Sequence, residues 1–69
     1  MDDSVYKVIE LIGTSSESWE DAAREAVETA AESLEDIRVA EVMKMDMRLE
    51  DNKVVRFRTK VMVSFKYRK

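Results

Sequence analysis

The chain has no cysteine and no histidine. Disulfide staples, zinc-finger spacing, Cys or His nucleophiles and imidazole acid–base chemistry are thereby excluded. Glycine occurs once, and no apolar run approaches the ~20 residues that a membrane span requires. The opening MDDSVYK is acidic and too polar for a secretory signal, so a cytoplasmic location without a membrane partner is expected. What is present is 45% hydrophobic and 39% charged residues, the composition of a folded, soluble chain. At 69 residues it holds at most one domain, spanning 1–69. A chain of that size buries only about 60% of the surface its unfolded form exposes. With disulfides and zinc excluded, self-association is the main remedy left, and a hard-cation site built of carboxylates is the lesser one.

The net charge of −3 argues against a dedicated nucleic-acid binder, but the average conceals an asymmetry. Residues 17–36 carry eight acids (Glu17, Glu20, Asp21, Glu25, Glu28, Glu32, Glu35, Asp36) against one base, Arg24. Residues 53–69 carry seven bases and no acid. Two accounts fit: an acidic helix face and a basic strand face that attract each other within or between subunits, or an anionic ligand on the basic strand.

Residues 4–12, SVYKVIELI, are rich in β-branched residues and apolar on both faces, which predicts a first strand. The segment GTSSES then reads as a turn and cap. Ser18 is placed to cap a helix, with Glu20 and Asp21 at the positive end of its dipole. From Trp19, the residues Ala22, Ala23, Ala26, Val27, Ala30, Ala31 and Leu34 form one apolar stripe of period 3.6, so the spacing predicts a helix over 18–35. Residues 37–49 alternate, with Ile37, Val39, Met43, Met45, Met47 and Leu49 on one face, interrupted by Glu41. Residues 54–67 alternate again, and the short polar link makes the two a hairpin. Pairing like faces suggests Leu49 opposite Val55 around an Asp51-Asn52-Lys53 loop. That register sets Asp46 opposite Arg58 and Met45 opposite Thr59.

The order is therefore β-α-β-β, an α+β unit with one helix on three antiparallel strands. Thirteen strand residues span about 43 Å at ~3.3 Å each, whereas eighteen helical residues span about 27 Å. The helix is too short to cover the hairpin, so Met45, Met47, Leu49, Phe65 and Tyr67 need cover from elsewhere. Such a strip marks an interface.

No catalytic constellation is visible, and the chain is expected not to be an enzyme. The serines before the helix lack an activating histidine and suit turn and capping roles. Gly13-Thr-Ser-Ser lacks the repeated glycines and the lysine of a phosphate-cradling loop. Trp19, on the apolar stripe, reads as a core anchor rather than a stacking platform. The five methionines read as adaptable packing. Glu41 on an apolar strand face needs a partner. An ion pair with a base of this or a neighbouring subunit is expected, Arg24 or Arg38 being nearest in pattern, and a ligand or cation contact is the alternative. Asp46, Glu50, Asp51 and Asn52 offer oxygen ligands suited to calcium, although their spacing matches no EF-hand loop.

The stretches V-Y-K-V-I-E-L-I-G-T-S and S-W-E-D-A-A, followed by a hairpin opening IRVAEV, make the chain resemble the dodecins. The match extends over essentially the whole chain and is strongest over Val5–Val27. The resemblance implies β-α-β-β subunits in a hollow homododecamer that stores or protects flavins. In that family, symmetry-related tryptophans stack the flavin and a glutamine hydrogen-bonds its edge. The tryptophan's place falls at Val39 within IRVAEV, and the glutamine's at Arg58 within VRFRTKV. Val39 has no π face, and lost stacking is worth about 1–3 kcal/mol per ring. Arg58 donates only and does not reproduce an amide's paired donor and acceptor. The resemblance thus implies a shell with weakened or absent binding of riboflavin and FMN. Val39, Arg58 and Asp46 line its altered pocket, a small-molecule or cation ligand, calcium included, is the partner besides the chain itself, and the alternative is a calcium-binding or purely structural shell without flavin.

Overall fold

The computed structural model describes residues 4–67. Four elements follow in order: β1 (Tyr6–Ser15), α1 (Trp19–Ala31), β2 (Ile37–Glu50) and β3 (Lys53–Lys66). The strands form one antiparallel sheet of order β1-β3-β2, and the helix packs on one face of it. This is the β-α-β-β, α+β unit that the hydrophobic pattern predicts. β3 has neighbours on both edges and the helix above it, so Val61 and Val63 are fully buried. They meet Ala26 in the core, ringed by Ile9, Leu11, Ala23, Val27 and Ile37. Ala22 and Ala30 complete the buried helix face. Small side chains on that face let helix and sheet approach closely.

The first turn of α1 is tied down by side chains from three directions. Ser18 Oγ accepts from the Asp21 backbone N–H at 3.0 Å, satisfying one of the free donors of the helix start. The buried Ser15 hydroxyl donates to the Asp21 carboxylate at 2.8 Å and accepts from the Glu17 N–H at 2.9 Å. Trp19 lies edge-on to Phe57, with ring centroids 5.0 Å apart at 69°. Its indole N–H donates to the Asp46 carbonyl at 3.0 Å, and the buried Thr59 hydroxyl donates to the Trp19 carbonyl at 2.9 Å. Trp19 is thus the anchor expected of it.

The other end stops earlier than the periodicity suggests, at Ala31 rather than residue 35. Glu28, Glu32, Glu35 and Asp36 crowd the negative end of the dipole with no base in the last turn, the reverse of what that end favours. The Ser33 and Leu34 N–H groups both bond to the Ala30 carbonyl, at 3.1 and 2.9 Å. Asp36, at φ 61°, then redirects the chain into β2.

β1 runs three residues beyond the expected strand, with Gly13, Thr14 and Ser15 paired to Thr59, Arg58 and Phe57. Gly13 therefore marks a close approach, not a turn. A Cβ placed there would lie 1.9 Å from the Ala22 carbonyl oxygen and 3.0 Å from the Ala26 Cβ.

The hairpin holds Asp46 opposite Arg58 and Met45 opposite Thr59, as the alternation predicts. Its tip differs. Glu50 pairs with Lys53, leaving a two-residue turn in which Asp51 and Asn52 both have positive φ, 52° and 63°, the pattern of a type I′ turn. A register shift between Arg48 and Leu49 makes Leu49 face Val54 rather than Val55. Two further shifts, between Ile37 and Val39 and between Val42 and Lys44, alter the faces of β2. Directly opposed residues share a face, so Ala40 and Val42 join Val63 and Val61 on the helix side. Val39 and Glu41, opposite Ser64 and Met62, turn to the helix-distal side. The single alternating face expected over 37–49 is thus broken by two bulges, each of which advances the chain by one residue.

Gly13→Ala is expected to cost about 3 kcal/mol or more, at or above the top of the usual overpacking range, because the clashing atom is helix backbone. Chemical denaturation of the variant beside a surface control such as Thr14→Ala measures it. A Gly13→Ala protein as stable as the control contradicts the close approach.

Candidate ligand-binding face

The helix-distal face of the sheet carries the charged residues of the hairpin in rungs. Lys44 faces Lys60, Asp46 faces Arg58, and Arg48 faces Arg56. β1 extends the first two rungs with Ile12 beside Lys60 and Thr14 beside Arg58. Strand alternation on a regular stretch of hairpin sends all these side chains to one side.

At the centre is a bidentate pair. Arg58 Nε donates to Asp46 Oδ1 at 2.8 Å, and a second guanidinium nitrogen, Nη2, donates to Oδ2 at 3.2 Å. The Arg58 hydrogen bonds hold the Asp46 carboxyl below its ordinary value of 3.8, reinforced by the charges of Arg58 and Lys44 and opposed by partial desolvation. Arg58 is pushed up by the same partner. Both side chains are roughly half exposed. A shallow recess of about 140 Å³, lined by Ile12, Lys44, Asp46, Arg58 and Lys60, opens beside them. Lys60 also lies 3.4 Å from Glu10, and Arg48 lies 3.5 Å from Glu50.

Two of the three residues expected to line an altered pocket, Asp46 and Arg58, are thus in direct contact. Val39 shares their face and is 58% exposed, but it sits three rungs away, about 20 Å along the strand. One subunit does not bring it to the recess. The Glu41–Arg24 ion pair does not form within the subunit, and a pair with a neighbouring subunit is the form of that expectation left open. The bulges turn Glu41 to the helix-distal face, where it is exposed. Arg24, on the helix, lies 4.0 Å from Asp21 instead. Arg38, the other base near Glu41 in the pattern, is 3.6 Å from Asp36.

The calcium candidates Asp46, Glu50 and Asp51 are not convergent. Asp46 is engaged by Arg58, Glu50 lies about 13 Å further along β2, and Asp51 is at the hairpin tip. Among the described residues no three acidic side chains come together. Calcium takes six to eight oxygen ligands, and the described carboxylates of a single subunit do not converge to supply them. The residues that sequence reasoning missed are Lys44, Lys60 and Ile12. Their signal was available, because the register that opposes Asp46 to Arg58 also opposes Lys44 to Lys60.

A three-stranded antiparallel sheet carrying one helix, with the second edge strand longer than the helix, is the dodecin subunit architecture. A family model described as Dodecin matches residues 5–68. Calcium dodecin of Mycobacterium tuberculosis is 54% identical over 65 residues, covering 94% of this chain and 92% of that one. Its crystal structure, described as a calcium-chelating immunodominant antigen with a novel calcium-binding site, superposes with a TM-score of 0.85 over 94% of this chain and 93% of that one. Dodecin from Streptomyces coelicolor, 28% identical, matches 100% of this chain and 99% of that one at a TM-score of 0.93. The chain belongs to the Dodecin family. Among the described residues no helix is long and apolar enough to cross a membrane.

The lowered Asp46 value fixes a sign. The pair's contribution to stability is complete above the ordinary carboxylate value and fades as pH falls through the lowered one. Asp46→Asn is therefore expected to flatten the acid limb of the Tm–pH profile between neutrality and about pH 2, by a few degrees at most for a pair this exposed. Thermal melts across that range check it, and a variant with the wild-type acid limb contradicts it.

Proposed function

We propose that the whole chain, 1–69, is one dodecin-type domain and assembles into a closed homododecameric shell. The shell is a non-enzymatic, cytoplasmic binding and sequestering protein whose ligand is a cation rather than a flavin. The observation that carries this reading is the pairing of Asp46 with Arg58. It occupies the position where the resemblance puts the flavin's glutamine, and it leaves no amide there to supply a paired donor and acceptor. Val39, exposed and aliphatic, supplies no stacking surface in place of the tryptophan. Calcium is favoured by the relative named calcium dodecin at 54% identity.

In this reading calcium is held between subunits, because one subunit does not gather enough oxygens. Glu50 and Asp51, at an exposed tip, are this chain's candidates to contribute carboxylates, and Asp46 is secondary because releasing it frees Arg58. A flavin-binding shell is the second reading, and it rests on family resemblance alone.

Calorimetric titration of calcium into the metal-stripped assembly, beside titration of riboflavin and FMN followed by flavin fluorescence, tests the proposal. Saturable calcium uptake, weakened in Glu50→Gln/Asp51→Asn, with riboflavin fluorescence retained, is expected. No calcium heat and no thermal shift overturns the cation reading, and stoichiometric quenching of riboflavin restores the flavin one. Val39→Trp with Arg58→Gln is expected to raise riboflavin affinity about 10- to 100-fold by returning a stacking surface. An unchanged affinity contradicts the account of why flavin binding is weak.

A further inference from the structure

We propose that the helix-distal face carries an oxyanion site for phosphate, formed by Lys44, Lys60 and Arg58 above the Ile12 side chain. This site is additional to the cation binding proposed above and opposite to it in charge. Lys44 and Lys60 are directly opposed across the strands, a placement in which like charges repel and work against the fold. The next rung but one repeats it, with Arg48 facing Arg56. Neither Lys44 nor Arg56 has a carboxylate partner among the described residues. Arg56 makes one side-chain hydrogen bond there, to the Val55 carbonyl at 3.3 Å. The nearby acids are already engaged: Asp46 by Arg58, Glu10 by Lys60, and Glu50 by Arg48.

The recess between these groups measures about 140 Å³, the share of roughly four or five waters in liquid. A tetrahedral oxyanion fits such a space. Two ammonium groups approach it from opposite strands. Arg58 spends Nε and Nη2 on Asp46, which fixes the guanidinium plane and leaves Nη1 without a partner among the described residues. Charge-assisted donors converging from three side chains suit a doubly charged phosphate group. Asp46 on the rim and Glu10 beside Lys60 repel any anion, but three cations against two carboxylates leave the recess net positive.

Binding has a built-in reporter. The indole N–H of Trp19 donates to the Asp46 carbonyl from the other side of the sheet, so a shift of the Asp46 rung alters the sole tryptophan's surroundings.

Inorganic phosphate titrated into the assembled wild-type protein at low ionic strength, followed by Trp19 fluorescence and phosphorus NMR, tests the site. Saturable binding with a Kd of about 1 mM or tighter is expected, weakened at least about tenfold in Lys44→Gln and in Lys60→Gln. Lys44→Gln is also expected to melt higher than wild type in phosphate-free buffer, since it removes the opposed charge. FMN and riboflavin distinguish the source of the phosphate. FMN outcompeting free phosphate, with riboflavin inert, assigns the phosphoryl group of a larger metabolite; FMN no better than phosphate assigns the free ion. Binding that does not saturate, that chloride at equal ionic strength reproduces, or that the double Lys44→Gln/Lys60→Gln variant retains overturns the inference. Calcium uptake measured on the same samples separates this result from the cation proposal.

Discussion

Thirteen residues of helix cover about 20 Å of sheet, and the subunit they sit on is 54 Å long. That mismatch is the constraint on which the rest of the molecule depends. The helix settles over β1 and β3, where Gly13 lets its backbone touch the strand and Val61 and Val63 fill the space beneath. The outer half of the hairpin receives no such cover. Met45 and Leu49 are 58% and 55% exposed, and Val42, Met43 and Met47 remain open beside them. Apolar surface of this extent, next to a core of five small buried hydrophobic residues, is the physical basis for the proposed assembly from copies of the chain.

The two faces of the hairpin then do different work, and the bulges in β2 decide which residue does which. By stepping the chain forward at two places, they turn Ala40 and Val42 to the helix side of the sheet, where both stay exposed, and Val39 and Glu41 to the other side. The side facing away from the helix becomes a charged ladder with the Asp46–Arg58 pair at its middle. The Trp19 indole, bonded to the Asp46 carbonyl through the sheet, links the helix start to that ladder. The packing of Trp19 on one side and the Asp46–Arg58 pair on the other are therefore joined at a single rung.

Much of this is legible in the residues. The alanine stripe, the Ser18 cap and the alternation of the last two strands fix element order, and the opposition of Asp46 and Arg58 follows from matching apolar faces. Three features are not legible, each for a physical reason. Gly13 stands next to serines and reads as a turn, because a glycine needed for close approach looks the same in sequence as one needed for a bend. The bulges fall at ordinary residues, with no glycine to mark them, so Glu41 reads as facing the core when it faces solvent. The helix end is set by acids at its negative pole and by a non-glycine residue at positive φ, against an apolar stripe that runs on to Leu34. The hairpin tip is a milder case. Asp51-Asn52 lacks the glycine typical of a two-residue turn, so a longer loop fits the pattern equally well.

A dodecin-family subunit with Val39 where the resemblance puts the stacking ring and the Asp46–Arg58 pair where it puts the amide keeps the architecture, and what the architecture holds is proposed to have changed. In the proposed shell, neighbouring subunits shield the overhanging hairpin and complete any site shared between them. Sedimentation velocity of the purified protein at micromolar concentration examines that assembly directly. A single closed species near twelve times the subunit mass, with no folded monomer on dilution, is the predicted result. A well-folded, stable monomer under the same conditions would contradict it.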